Sequence, residues 1–352
     1  MHKRRLLLIL LIVVLFLASC THTENSQSKF DNSGNTTVAP SPDTAQFHFI
    51  DVGQGDCIFI QNGDTTILID AGTYESGHKI YEYLTNLKID EIDYFIATHP
   101  HDDHIGGAES ILRVIDVGTV FMGSEGDNSY AFENFVDVML EKGITPTYPD
   151  MDSTYTEGDL SFRFLSPTKD FGNTNDNSFV VMVQYGEVKA LFTGDAEKKV
   201  ETDLISRGVD IRADILKVGH HGSRNASTSS FLNSVYPGVA VIQCGKDNSY
   251  GHPHEETLER LSETGCPVLR TDMEGDIILS TDGKTIIRST GETYEITEKD
   301  ETVTLTYIGN KKSKTFHIDS CPNLPGEKNR IKLSSREEAI NSGYKPCGNC
   351  NP

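Results

Sequence analysis

Six consecutive residues, His99-Pro100-His101-Asp102-Asp103-His104, hold three imidazoles and two carboxylates. They follow Ile92-Asp93-Tyr94-Phe95-Ile96-Ala97, a run with the length and composition of a buried strand. Side chains two apart on extended backbone share a face, so His99 and His101 can face one ion together. The chain then turns, and Asp103 and His104 point elsewhere, able to hold a second ion beside the first. Gly106-Gly107 opens a helical pattern that puts Ile111, Leu112 and Ile115 on one face. Imidazole and carboxylate suit Zn²⁺ or a similar first-row ion. A polar loop with chance histidines is the bland alternative, and the density of ligand types at one strand end argues against it.

Two further strand ends carry the same chemistry. Leu191-Phe192-Thr193-Gly194-Asp195 sets a carboxylate after an apolar run, where it could bridge two ions. Leu216-Lys217-Val218-Gly219-His220-His221 ends in imidazoles, and one of the pair could complete a site with Asp103 and His104. Strands are also expected at 47–52, 118–122, 154–165, 178–185, 213–218 and 239–244. Hairpins are expected across 57–70, turning at Asn62-Gly63, and across 275–289. Helical spacing occurs at 78–87, 196–207, 228–235 and 255–264. It occurs also at 130–142, with Phe132, Phe135, Val136, Met139 and Leu140 on one face. The spacing gives an α/β fold.

Several stretches together resemble the metallo-β-lactamase superfamily, and within it the secreted and ComEC-type competence hydrolases. They are Phe49 to Asp56, Leu68-Ile69-Asp70-Ala71-Gly72, His99 to His104, Thr193-Gly194-Asp195, Lys217 to Ser223 and Tyr250-Gly251-His252-Pro253-His254. The resemblance implies an αββα sandwich over residues 46–290 and two divalent ions, Zn²⁺ or Mn²⁺. His99 and His101 would bind the first ion, Asp103 and His104 the second, and Asp195 both. His221 is favoured as the last ligand, leaving His220 a catalytic or supporting group. Asp70 would orient a ligand histidine, and Asp56 and Asn177 are placed with it behind the ligands. Asp103 belongs also to the catalytic group, and His220, His252 or His254 could protonate a leaving group. A water held between the ions would supply hydroxide near neutral pH. One departure stands out: the family pattern has another histidine on the first ion, and here no histidine occurs from 105 to 219. Asn175-Asp176-Asn177-Ser178 fills that stretch, as in ComEC-type relatives.

The N-terminus reads as an export leader. His2-Lys3-Arg4-Arg5 precedes twelve apolar residues, Leu6 to Leu17, too few to span a bilayer comfortably, and then Ala18-Ser19-Cys20. That ending resembles a bacterial lipobox, so residues 1–20 are expected to be a lipoprotein signal with Cys20 lipidated. The mature chain would then be anchored by lipid at the cell surface or in the periplasm, with no transmembrane helix. Residues 21–45, rich in Ser, Thr, Asn and Pro, read as a disordered tether.

The net charge of −21 is uneven. Residues 46–290 carry −22, so that region repels a polyanion at long range. Residues 306–352 carry +4. Cys57, Cys244 and Cys266 sit in apolar contexts as core thiols, whereas His317-x3-Cys321 and Cys347-x2-Cys350 offer four ligands for a structural Zn²⁺. Past a linker at 291–302, residues 303–352 resemble the metal-binding domain of the Ada DNA-repair protein through Tyr307 to Asn310, Ser313 to His317, Ser335 to Ala339 and Gly343 to Cys347. The family's methyl-accepting Cys is here His317, so that role is not inherited. A small zinc-stapled α+β module remains, with Lys311, Lys312, Lys314, Arg330 and Lys332 available to phosphates.

The reading favoured by sequence is a lipid-anchored extracytoplasmic phosphodiesterase acting on DNA. Its rivals are a phosphorylcholine or small-molecule esterase and a non-catalytic surface DNA-binding protein.

Overall fold

The structure, a computed structural model, describes residues 43–123, 126–296, 307–318, 321 and 323–348. The leader with Cys20, nearly all of the tether, and Cys350 lie outside the described residues.

Strand β1 (Ala45–Phe49) is buried along its whole length. Ala45, Phe47 and Phe49 point into one apolar layer, and His48 points into another beside Phe59 and Tyr83. A strand buried on both faces needs a cover on each side, and the fold supplies it in four layers. The first sheet continues with β2 (Ile58–Asn62), β3 (Thr65–Ile69), β4 (Glu91–Ile96) and β5 (Asp116–Phe121). The second sheet is made by β6 (Thr154–Glu157), β7 (Leu160–Ser166), β8 (Val180–Tyr185), β9 (Val188–Phe192), β10 (Ile215–Lys217), β11 (Val239–Ile242) and β12 (Val268–Arg270). The chain then returns to the first sheet with β13 (Ile277–Thr281), β14 (Thr285–Arg288) and β15 (Thr293–Glu295). The orders are β15-β14-β13-β1-β2-β3-β4-β5 and β12-β11-β10-β9-β8-β7-β6.

Phe47, Phe49, Phe164 and Phe192 are among the side chains that fill the space between the sheets. Truncating such a ring to alanine costs about 3–5 kcal/mol. The outer face of the first sheet is covered by helices Gly77–Asn86, Ala108–Val114 and Tyr130–Lys142, and that of the second by Lys198–Ser206, Ser229–Val235 and Glu255–Thr264. This is the expected αββα sandwich.

Three local expectations are corrected. The first hairpin turns on Gly63-Asp64, because Asn62 is still paired, opposite Thr65. Helix Tyr130–Lys142 buries Ala131, Phe135, Val138 and Met139, while Leu140 is 71% exposed. The buried stripe passes through the small Ala131, which a pattern drawn on large side chains overlooks. The first sheet also runs past residue 290, since β15 pairs with β14 in a stretch read as linker.

Two parallel sets, β3-β4-β5 and β9-β10-β11-β12, send their C-terminal ends to loops that meet at one edge of the sandwich. Ligands gather at such ends in α/β sheets. The C-terminal module forms its own sheet of β16 (Tyr307–Asn310), β17 (Thr315–Ile318), β18 (Arg330–Leu333) and β19 (Lys345–Pro346), ordered β18-β16-β17-β19. Helix Arg336–Asn341 packs on it, over a core that includes Tyr307, Phe316, Leu333 and Tyr344. Among the described residues no helix is long and apolar enough to cross a membrane.

Candidate metal centre

Four strand ends bring the ligand types together. Asp70 follows β3, Thr98 to His104 follow β4, Asp195 follows β9, and His220-His221 follow β10. Asp70, His220 and His221 all adopt left-handed backbone, with φ of 58°, 48° and 52°. Each such residue costs on the order of 1–3 kcal/mol, and clustering of that strain marks a site.

Asp195 divides the site in two. Its Oδ1 lies 3.2 Å from His104 Nε2 and 3.4 Å from His221 Nε2. Asp103 closes this group, with Oδ2 3.2 Å from His221 Nε2 and Oδ1 4.0 Å from His104 Nε2. Ligand atoms held about 2.0–2.1 Å from a tetrahedral ion stand about 3.3 Å apart; the three shorter spacings match, and the Asp103–His104 separation of 4.0 Å is wider. His104 Nε2, His221 Nε2 and Asp195 Oδ1 are buried and make no hydrogen bond, so an ion there would satisfy all three. The rings are held from behind. His104 Nδ1 donates to Asp70 Oδ2 at 2.7 Å, and His221 Nδ1 donates to the Gln243 carbonyl at 3.0 Å, so both present Nε2 lone pairs.

On the other side, Asp195 Oδ2 lies 3.9 Å from His99 Nε2, which is 3.1 Å from His101 Nδ1. The Thr98 hydroxyl donates to Asp70 Oδ2 at 2.7 Å, so its oxygen accepts from His99 Nδ1 at 3.2 Å. That puts the His99 proton on Nδ1 and leaves Nε2 an acceptor facing His101 Nδ1. His99, His101 and Asp195 thus form a second converging group.

The electrostatics favour positive charge here. Burial pushes both His104 and His221 towards the neutral form, but Asp195 beside them, with Asp70 and Asp56 behind, outweighs it. His104 is raised well above its ordinary value and His221 to about 10. Burial likewise opposes ionisation of Asp195, yet His221 and His104 hold it well below the usual carboxylate range. A divalent cation would displace the ring protons and take over the same neutralisation.

Asp56 lies behind the ligands. Its Oδ1 is 3.1 Å from His221 Nδ1, on the ring edge away from the converging Nε2, and its Oδ2 pairs with the buried Lys217 Nζ at 2.7 Å. Asn177 binds Phe171 N at 2.8 Å and Asp170 Oδ1 at 3.0 Å, bracing its own loop; the amide that faces the site is Asn175, 3.5 Å from His220 Nε2. His252 is half-buried, with its Nδ1 enclosed and unpartnered and its ring centroid 5.4 Å from that of His220. His254 precedes helix Glu255–Thr264 and accepts the Arg224 amide at 3.1 Å, so it is committed to the loop at the rim. Sequence reasoning missed Thr98, Ser178, Glu197, Lys217 and Gln243 as supports. Only their contacts reveal them: Ser178 Oγ accepts the Asp195 amide at 3.2 Å, and Glu197 Oε1 takes His220 Nδ1 at 2.9 Å.

In the C-terminal module, His317, Cys321 and Cys347 converge, all buried. His317 Nδ1 is 3.3 Å from Cys321 Sγ.

Comparison with known proteins agrees with this geometry. The family model of the Metallo-beta-lactamase superfamily matches residues 50–246. ComE operon protein 3 of Bacillus subtilis (strain 168) is 33% identical over 249 residues, covering 65% of this chain and 32% of its own. Recombination protein 2 of Haemophilus influenzae is 31% identical over 243 residues, covering 67% and 29%. Competence protein ComA of Neisseria gonorrhoeae is 29% identical over 233 residues, covering 64% and 30%. The chain therefore spans about a third of the length of these competence-type relatives.

Proposed function

The chain belongs to the metallo-β-lactamase superfamily of metallohydrolases, and from that premise we propose that it is a metal-dependent phosphodiesterase acting on DNA. The observation that carries this reading is Asp195, whose two oxygens face histidine nitrogens on two sides, His99 on one and His104 and His221 on the other. Two divalent ions held there, the first by His99, His101 and Asp195 and the second by Asp103, His104, His221 and Asp195, would acidify a water and polarise a phosphoryl group.

The protein's own residues do the rest. Asp70, Thr98 and Gln243 fix the ligand rings, so little reorganises during reaction. His252, half-buried with its ring 5.4 Å from that of His220, would stand beside the substrate. The acidic catalytic domain does not attract DNA, but Lys311, Lys312, Lys314, Arg330 and Lys332 are all exposed on the C-terminal module and offer phosphate contacts. The competence-type relatives support DNA as substrate. The leader and Cys20 support export and lipid anchoring.

The test is degradation of plasmid DNA by purified residues 46–352 with Mn²⁺, Zn²⁺ or chelator, beside Asp103→Ala. Cleavage that needs metal and is lost in the variant supports a nuclease. No cleavage by folded, metal-loaded protein moves the substrate to a small phosphodiester or ester such as phosphorylcholine.

A further inference from the structure

We propose that His220 supplies the third nitrogen ligand of the first ion, a position left open by the absence of histidine from 105 to 219. The inference rests on the two-ion reading above. His220 Nε2 lies 3.5 Å from Asp195 Oδ2, the oxygen that faces His99, while His221 meets Oδ1. The adjacent histidines therefore stand on opposite sides of the dividing carboxylate. Their consecutive left-handed backbone produces this, setting the ring planes 74° apart with centroids at 6.0 Å. The His220 amide also donates to the Gly194 carbonyl at 3.0 Å, pinning its loop to the one that carries Asp195.

The tautomer agrees. His220 Nδ1 donates to Glu197 Oε1 at 2.9 Å, as His104 Nδ1 does to Asp70, so its Nε2 lone pair points into the site. A carboxylate behind a histidine is the usual support of a metal-bound ring. The neighbouring Asn175 amide is 3.5 Å from Nε2, too far to hold that lone pair in a good hydrogen bond. His220 Nε2 at 3.5 Å and His99 Nε2 at 3.9 Å approach the same oxygen, Asp195 Oδ2, and donors around a tetrahedral ion stand about 3.3 Å apart.

The experiment is metal counting and chelator competition on the full mature chain loaded with Zn²⁺ or Co²⁺, comparing wild type, His220→Asn, Glu197→Gln and Asp103→Asn. Asparagine tolerates left-handed backbone, and circular dichroism checks folding. His220→Asn should lose one ion per chain, with altered Co²⁺ absorption, and Glu197→Gln should weaken that ion about 10–100-fold. Should His220→Asn fold poorly, Glu197→Gln alone decides through the same affinity. A full ion complement of unchanged affinity in His220→Asn, even with activity lost, would overturn the inference and leave His220 a proton-transfer or substrate contact. Wild type holding fewer than two ions beyond the C-terminal one would overturn the two-ion reading and this inference with it.

Discussion

Asp70 Oδ2 accepts the Nδ1 proton of His104 at 2.7 Å, with both side chains fully buried. The same oxygen takes the Thr98 hydroxyl at 2.7 Å, and Oδ1 takes the Thr98 amide at 2.8 Å. Through Thr98 the carboxylate also sets the His99 ring. One buried acid therefore orients a histidine in each half of the site.

Asp70→Asn should then weaken both ions, by about 10–100-fold, while the fold persists. An amide keeps one acceptor but turns an NH₂ towards donors that already point at it. Chelator competition followed by circular dichroism measures this. Metal affinity equal to wild type would show that His104 and His99 need no such anchor.

Lys217 and Asp56 form an ion pair at 2.7 Å with both side chains out of solvent. Burial alone would push the Asp56 carboxyl up, but Lys217 and His221 hold it below its ordinary value. Lys217→Met strands that charge, and the loss should be about 3–5 kcal/mol in urea unfolding. Adding Asp56→Asn should recover much of it. A single variant within about 1 kcal/mol of wild type would mean that Asp56 is neutralised in some other way.

The residues that converge in the candidate site are legible because their side chains sit at strand ends, where a period-two pattern stops and chemistry-bearing residues begin. His99, His104 and Asp195 announce themselves that way. Their supports do not. Lys217 reads as one polar residue inside an apolar strand, and Gln243 as an ordinary strand end. Each matters through a partner 160 or more positions away, Asp56 for one and the Ile50 and Cys57 carbonyls for the other. The buried faces of the helices are less legible where a small residue forms the contact, as Ala131 does. The opposed placement of His220 and His221 depends on two successive left-handed residues, which a His-His pair does not reveal.

His48 gives a pH signature separate from the metals. It is buried beside Phe59, its Nδ1 2.8 Å from Tyr83 Oη and its Nε2 3.3 Å from Gln46 Oε1, and burial lowers its pKa from 6.5 to about 4. As pH falls below 6.5 the unfolded chain takes up a proton that the folded chain refuses, so stability drops until about pH 4. The full loss is about 3 kcal/mol. His48→Gln lacks this component, so the stability gap between variant and wild type should move in the variant's favour between pH 7 and pH 4. Metal release affects both proteins alike and cancels in that difference. A gap that stays constant across the range would place His48 in contact with water or a counter-charge.

The C-terminal module has too little core to stand on packing alone. Tyr307, Ile308, Phe316, Ile318, Leu333, Ala339 and Tyr344 are the large or apolar non-ligand side chains of its core among the described residues, with Pro325 beside them, and domains of about 40 residues generally need a staple. His317, Cys321 and Cys347 lie inside that core rather than on its surface, so removing an ion would open it from within. Burial lowers the His317 pKa, which keeps the ring neutral and available as a ligand near pH 7. Chelation should therefore release one zinc from this module and abolish slow hydrogen exchange across 307–318 and 330–346. Residues 45–62 and 180–192, in the interior of the two large sheets, should keep their protection. Cys347→Ser should reproduce the local loss without chelator and leave the ions of the hydrolase site in place. Unchanged exchange in the module after its metal has been stripped would assign its stability to packing, and the three ligand types to coincidence.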